Sequence, residues 1–308
     1  MKAVVIEQYG GTDELKMTEM DQPALKDNDV LIEIAATSIN PVDWKIREGY
    51  LQEKIKYEFP LILGLDAAGV VKEIGNKVTS FQVGDEVFTR PDILRNGTYA
   101  EYVAVDERLV AGKPDNLSFE EAASIPLVGL TSWQCLIDKV CIKEGERVLI
   151  HAGAGGVGNF AIQLAKARGC WVATTCSSRN AEFLKDLGAD QVINYEKEDF
   201  TDVLSPVDTV FDTLGGEIQE KSYEVLKKKG HLVSIADVPD EQTAEKYGVK
   251  VDYVFMDPDG EELAKIGELL KNEKIKPVIG KTMKLSDIQE AHNLSETGHM
   301  RGKLVLKI

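Results

Sequence analysis

The sequence predicts an α/β protein in which a doubly wound parallel sheet is joined to a β-rich domain. Three observations predict it. Short strand-like runs and glycine turns crowd the chain up to Asn116. Strand and helix patterns then alternate through the middle of the chain, the sign of βαβ units. A glycine-rich turn follows the first strand of that alternation.

In the first part, Val30-Leu31-Ile32-Glu33-Ile34-Ala35 and Gly69-Val70-Val71-Lys72-Glu73-Ile74 read as strands bounded by Asp27-Asn28-Asp29 and Gly75-Asn76. Val83-Gly84-Asp85-Glu86-Val87-Phe88 reads as a turn entering another strand, and the whole suggests a barrel-like or sandwich-like domain. After Asn116 the segment Leu117-Ser118-Phe119-Glu120-Glu121 has the form of a capping box, with Ser118 as N-cap. Apolar runs then begin near Val148, Trp171, Gln191, Thr209, His231 and Val251, with a helix expected over residues 216–229. That is the strand complement of a doubly wound dinucleotide fold. Beyond residue 260, helices are expected over 261–272 and, capped by Ser286, over 286–295, before a strand from Lys303 to Ile308. This tail has left the sheet rhythm and is expected to return to the first domain. The expected division is 1–122 with 260–308, and 123–259.

Composition narrows the functional classes. The 308 residues are 43% apolar and 29% charged, ordinary for a soluble globular protein. A formal net charge of −16 disfavours nucleic acid and anionic lipid as partners. No apolar run approaches the ~20 residues that span a membrane. The opening Met1-Lys2-Ala3-Val4-Val5-Ile6-Glu7 lacks a signal-peptide layout, so a cytoplasmic location is expected. Cys135, Cys141, Cys170 and Cys176 have no metal-site spacing and are read as buried free thiols. The four histidines are scattered and no H-E-x-x-H occurs, which gives metal catalysis little support.

The strand-like Val148-Leu149-Ile150-His151-Ala152 runs into Gly153-Ala154-Gly155-Gly156-Val157-Gly158, a G-x-G-x-x-G at Gly153, Gly155 and Gly158. Chance supplies about 0.2 such matches in a chain this glycine-rich, so context must decide. The context is favourable. Val157, Phe160, Ala161, Leu164 and Ala165 share one helix face, and Gly169 stands where a helix terminates. The first glycine permits the turn, the second admits a pyrophosphate, and the third lets helix and strand pack closely. The free N–H groups and helix dipole then hold phosphate, which makes Gly153, Gly155, Gly156, Val157 and Gly158 candidate cofactor ligands.

An NAD site usually carries an acid at the end of the second strand, to bond the ribose 2′-OH. Here Trp171-Val172-Ala173-Thr174-Thr175-Cys176 ends in Ser177-Ser178-Arg179-Asn180, with no acid until Glu182. Two hydroxyls and a guanidinium suit a 2′-phosphate, so the cofactor is expected to be NADPH, held by Ser177, Ser178 and Arg179. The plainer reading of the same residues is a helix cap at Ser178 with Arg179 facing solvent, and the two readings coexist.

Seven motifs then carry a resemblance. They are Asn40-Pro41-Val42-Asp43-Trp44-Lys45, Gly64-Leu65-Asp66-Ala67-Ala68-Gly69, Gly97-Thr98-Tyr99-Ala100-Glu101-Tyr102, Gly129-Leu130-Thr131, the turn at 153–158, Leu187-Gly188-Ala189-Asp190 and Arg301-Gly302-Lys303. Over nearly its whole length the chain resembles the medium-chain dehydrogenase/reductase superfamily. More narrowly it resembles the zinc-free quinone oxidoreductase (zeta-crystallin-like) and enone reductase branch. The resemblance implies a GroES-like catalytic domain built from both chain ends, a central Rossmann domain, and an active site in the cleft between them. It also implies a homodimer through the sheet edge near residues 251–256. Where the alcohol dehydrogenases of the superfamily place a zinc-binding Cys this chain has Asn40, and where they have Gly-His-Glu it has Gly64-Leu65-Asp66. Leucine cannot ligate zinc, and Pro91 to Gly97 contains no cysteine for a structural metal, so no zinc is expected.

Acceptors reducible without a metal include quinones and α,β-unsaturated carbonyls. In the latter, hydride adds to the β-carbon and charge builds on the carbonyl oxygen, where a fixed donor stabilises the transition state. By resemblance, Lys45 is the candidate donor, and a surface lysine is the competing reading. Asn40 either orients the carbonyl or the nicotinamide or starts a turn before Pro41. Thr131 is expected near the nicotinamide and Tyr195 near the adenosine phosphate. Phe255 and Met256, taken as the end of the sixth strand, would border the nicotinamide. Trp44 and Tyr50 are candidates for the wall of a substrate pocket. A reading in a different class, an NADPH-binding sensor or structural protein without relevant turnover, remains beside the enzymatic one.

Overall fold

Short strand-like runs bounded by turns make the first part of the chain a set of antiparallel strands. They are β1 (Lys2–Ile6), β2 (Lys16–Glu19), β3 (Asp29–Ile39), β4 (Leu61–Ile62), β5 (Ala67–Ile74), β6 (Glu86–Thr89), β7 (Tyr102–Asp106) and β8 (Val110–Gly112). The computed structural model describes residues 1–308. It divides them into a terminal unit, Met1–Leu127 with Pro258–Asn272 and Pro277–Ile308, and a middle unit, Val128–Asp257 with Glu273–Lys276.

The middle unit contains β9 (Arg147–Ile150), β10 (Trp171–Cys176), β11 (Gln191–Asn194), β12 (Val207–Asp212), β13 (Leu226–Ser234) and β14 (Lys250–Tyr253). All five pairings are parallel, and the spatial order is β11-β10-β9-β12-β13-β14. Numbered within the unit this is 3-2-1-4-5-6, the doubly wound dinucleotide order, whose switch point lies between β9 and β12. Central strands buried on both faces read as apolar runs; accordingly Val148, Leu149, Ile150, Val210 and Phe211 are fully buried. One expected element is shorter than predicted. The helix after β12 covers Gly216–Ser222 only, followed by a 3₁₀ turn at Tyr223–Val225, and Leu226 already belongs to β13. The reason is pairing: Leu226 lies opposite Val207 of β12, and Lys229 takes a left-handed φ of 65°.

The chain tail adds β15 (Ile279–Lys284) and β16 (Lys303–Lys307) to the terminal unit. β16 pairs antiparallel with β3 and parallel with β15, giving a seven-stranded sheet ordered β15-β16-β3-β5-β6-β8, with β7 also on β3. A second sheet is β2-β1-β4. The residues of β16 bury Leu304, Val305 and Leu306, and this apolar burial holds the chain end in place. The helix before it is Ile288–Glu296; Ser286 lies in a 3₁₀ turn ahead of it and does not cap it. The cysteine reading needs a correction too: Cys135, Cys170 and Cys176 are buried but Cys141 is exposed.

Candidate functional site

The glycine turn joins β9 to the helix Gly156–Ala167. Gly155 is the N-cap, and no side-chain bond caps that helix, so its first-turn N–H groups are left for another acceptor. Two glycines are required by packing. A Cβ on Gly153 would collide with the Thr174 hydroxyl, and one on Gly158 with the Ala152 carbonyl. Gly155 is different: its added Cβ would meet only the Ala152 oxygen, at 3.4 Å. The second glycine is therefore not demanded by the protein's own packing, as expected if it leaves room for a ligand. Ala152 holds a left-handed φ of 50°, strain at the strand-to-turn junction. Under the turn, His151 is buried between Thr175 Oγ1 at 3.2 Å and Ser222 Oγ at 3.0 Å. Burial lowers its pKa to about 4, so it stays neutral and adds no charge beneath the turn. A backbone anion cradle of this kind fits the pyrophosphate of a dinucleotide.

Parallel register carries the next residues to the same sheet end. Cys176 of β10 lies opposite Asn194 of β11, so Ser177, Ser178 and Arg179 come beside Tyr195 and Glu196. Ser178 is not the helix cap. Its Oγ donates to Glu196 Oε2 at 2.5 Å and its N–H to the same oxygen at 3.0 Å, while Asn194 Nδ2 donates to Ser178 Oγ at 2.7 Å. The Ser178 hydroxyl bond, then its N–H, hold the Glu196 carboxyl below the usual range, with Lys197 and Arg179 adding to the effect. Glu196 is not legible beside Ser178 in the sequence: the acid of such a site is expected at the end of the second strand, and this one arrives from the third.

In the terminal unit, Asn40 follows β3 and is the N-cap of the helix Pro41–Arg47. Asn40 is 1% exposed and both ends of its amide are engaged. Nδ2 donates to Asp66 Oδ2 at 2.8 Å, and Oδ1 accepts from Lys303 Nζ at 2.5 Å. The Lys303 ammonium also donates to Ile39 O at 3.0 Å and Asp66 Oδ2 at 3.1 Å, which occupies all three of its protons. Asp66 takes further bonds from Ser38 Oγ at 2.7 Å and Leu127 N–H at 2.7 Å. A buried cation thus lies between Asn40 and Asp66, in the two motifs where no zinc is expected.

Beside this triad Asp43 is fully buried, and its Oδ2 accepts from Asn40 N–H at 2.7 Å and Tyr99 OH at 2.8 Å. Burial pushes its carboxyl up to about 7. A polar chain continues from Tyr99 OH to His292 Nε2 at 3.3 Å and from His292 Nδ1 to Arg47 Nη1 at 3.0 Å, where Arg47 pairs with Glu296 at 2.8 Å. Burial, then the Arg47 charge, lowers the pKa of His292 to about 3.

The remaining expected residues are placed as follows. Lys45 is exposed, its ammonium 5.8 Å from the Trp44 ring centroid. Trp44 meets Tyr50 edge to face at 6.2 Å, and Tyr50 is 67% exposed. Thr131 is buried on the helix Pro126–Trp133. Tyr195 is exposed just past β11, on the side of the sheet where the glycine turn lies. Phe255 and Met256 do not end β14, which stops at Tyr253; Val254 N–H still bonds Ser234 O, and the chain then leaves the sheet with Phe255 exposed and Met256 buried.

Two family descriptions match: the alcohol dehydrogenase GroES-like domain over residues 26–115, and the zinc-binding dehydrogenase over residues 187–306. The chain is 36% identical over 355 aligned positions to the mitochondrial NAD(P)H oxidoreductase RTN4IP1 of Homo sapiens, covering 100% of this chain and 89% of that protein. It is 38% identical to the 2-methylene-furan-3-one reductase of Solanum lycopersicum, covering 99% and 79%. The quinone oxidoreductase structure from Coxiella burnetii superposes with a TM-score of 0.94 at 40% identity, covering 100% and 99%. The fold and these matches define an oxidoreductase of two-domain, GroES-like plus Rossmann type. The chain belongs to the medium-chain dehydrogenase/reductase superfamily, as its motifs implied. No helix in it is long and apolar enough to cross a membrane.

Proposed function

We propose that this oxidoreductase binds NADPH and transfers hydride to a quinone or an α,β-unsaturated carbonyl without a catalytic metal. The observation that carries the cofactor half is the uncapped helix start behind Gly155, a glycine that the protein's own packing does not require and whose open side suits a pyrophosphate. Ser177, Ser178 and Arg179 would take the 2′-phosphate, and Tyr195 would lie beside the adenosine. Thr131 and Phe255 would border the nicotinamide. Bound NADPH supplies the hydride. The acceptor oxygen gains the electron pair displaced by the hydride, and a proton from water completes the product.

Lys45 would donate to that oxygen, and the Trp44–Tyr50 pair would wall the acceptor. Asn40, with both amide atoms committed to Asp66 and Lys303, acts as a positioning residue in this reading. The metal-free half rests on Lys303: an ammonium already bonded to Asn40 and Asp66 repels a divalent cation from the same donors. The NAD(P)H oxidoreductase, enone reductase and quinone oxidoreductase names of the relatives point the same way. β14 has only β13 beside it, and that open edge is where a second copy would add to the sheet.

The test is an assay of EDTA-treated protein with NADPH, a quinone panel and an enone panel, followed by product analysis. Saturation of the C=C bond or hydroquinone formation is the expected result. No NADPH oxidation with any acceptor would overturn the proposal.

A further inference from the structure

The carboxylate of Glu196 occupies donors that the NADPH reading assigns to phosphate. It stands on an exposed turn after β11 and bonds the Ser178 hydroxyl at 2.5 Å and the Ser178 N–H at 3.0 Å. Asn194 braces the arrangement from both sides: its Nδ2 donates to Ser178 Oγ at 2.7 Å, and its Oδ1 accepts from Glu196 N–H at 3.1 Å. The pairing of Cys176 with Asn194 puts the two segments in step, so the contact follows from strand register rather than from a chance side-chain reach.

We propose that Glu196 is a specificity-determining residue of the cofactor site, competing with the 2′-phosphate for Ser178 and narrowing the preference for NADPH over NADH. The proposal rests on the dinucleotide reading given above. A carboxylate and a phosphate cannot share the same two donors, and at contact distance their like charges repel. NADPH must therefore displace the exposed Glu196 carboxylate from its two bonds to Ser178. The 2′-hydroxyl of NADH carries no charge and can donate to a carboxylate, so Glu196 does not oppose it. Arg179 and Glu196 then act with opposite sign on the same phosphate, and their balance sets the ratio of the two affinities. At neutral pH the carboxyl is ionised, held so by the Ser178 bonds.

The experiment is calorimetric titration of the full chain with two fragments, adenosine 2′,5′-bisphosphate and 5′-AMP, which needs no turnover. Glu196→Gln keeps the shape of the side chain and removes its charge. It should bind the bisphosphate about ten-fold tighter than the wild type, with 5′-AMP changed by less than about two-fold. High salt should shrink the gain, because the repulsion is Coulombic. Unchanged bisphosphate affinity in Glu196→Gln overturns the proposal while leaving the dinucleotide reading intact. Loss of 5′-AMP binding in the variant also overturns it, since Glu196 would then be a ribose ligand. If neither fragment binds wild type or variant, the proposal and the dinucleotide reading both fall.

Discussion

Lys303 and Asp66 form a buried ion pair at 3.1 Å, with the two side chains 6% and 0% exposed. They lie 237 positions apart in the chain, and the pair forms because β16 pairs antiparallel with β3. Asn40 closes the pair into a triangle by bonding both partners. A buried carboxylate stripped of its cation is strongly unfavourable, whereas a satisfied pair is close to neutral. Lys303→Met is therefore expected to cost about 3 kcal/mol of unfolding free energy. Urea denaturation measures it, and a variant as stable as the wild type would contradict the account.

The glycine turn separates packing from ligand approach. Gly158→Ala forces a methyl onto the Ala152 carbonyl and should cost about 1–3 kcal/mol of stability as well as cofactor affinity. Gly155→Ala has space for its methyl and should cost at most about 1 kcal/mol. Its NADPH affinity should nevertheless fall about ten-fold or more, because the methyl stands where the pyrophosphate approaches. Thermal unfolding and fluorescence titration of the two variants would separate the effects. Equal affinity losses at equal stability cost would count against the distinction.

Arg179 is expected to act on one cofactor only. Arg179→Ala should weaken NADPH about ten-fold or more and leave NADH nearly unchanged, since only the former carries the 2′-phosphate. Parallel titrations decide it, and equal losses for both would argue for a general role at the adenosine.

The buried titratable groups give the stability a worked pH dependence. The folded pKa values of His292 and His151 are lowered to about 3 and about 4. Each contributes stability that is present above the ordinary histidine range and lost as the pH falls towards the folded value. Asp43 is raised to about 7, so its contribution has the opposite sense and is lost as the pH rises from the ordinary carboxylate range towards neutrality. Near pH 5, unfolding thus takes up about two protons at the histidines and releases about one at Asp43. His292→Gln should reduce the net uptake by about one proton, read as a shallower slope of unfolding free energy against pH between about 4 and 6. An unchanged slope would show that His292 does not stay neutral in the fold.

Much of the architecture was legible locally. Val148, Leu149, Ile150, Val172 and Ala173 are apolar because central parallel strands are buried on both faces. The six strand positions, the Ser118 cap and the helix after Gly155 follow from period and capping chemistry in the same way. The misreadings fall where local pattern competes with pairing. Residues 226–229 look helical by continuation but belong to β13, and Phe255 looks like a strand end but lies past the last ladder bond.

The sequence by itself determined the glycine turn and the alternation that surrounds it, and at Asn40 and Leu65 it raised the expectation of a site without zinc. These depend on residues near each other in the chain, where spacing alone carries the physics. Only the tertiary structure decided what Asn40 and Ser178 are bonded to. Lys303 reaches Asn40 through the return of the chain end, and Glu196 reaches Ser178 through the register of two parallel strands. A parallel ladder leaves a whole crossover between its partners, so the charge beside a residue is set by a neighbour that sequence distance hides.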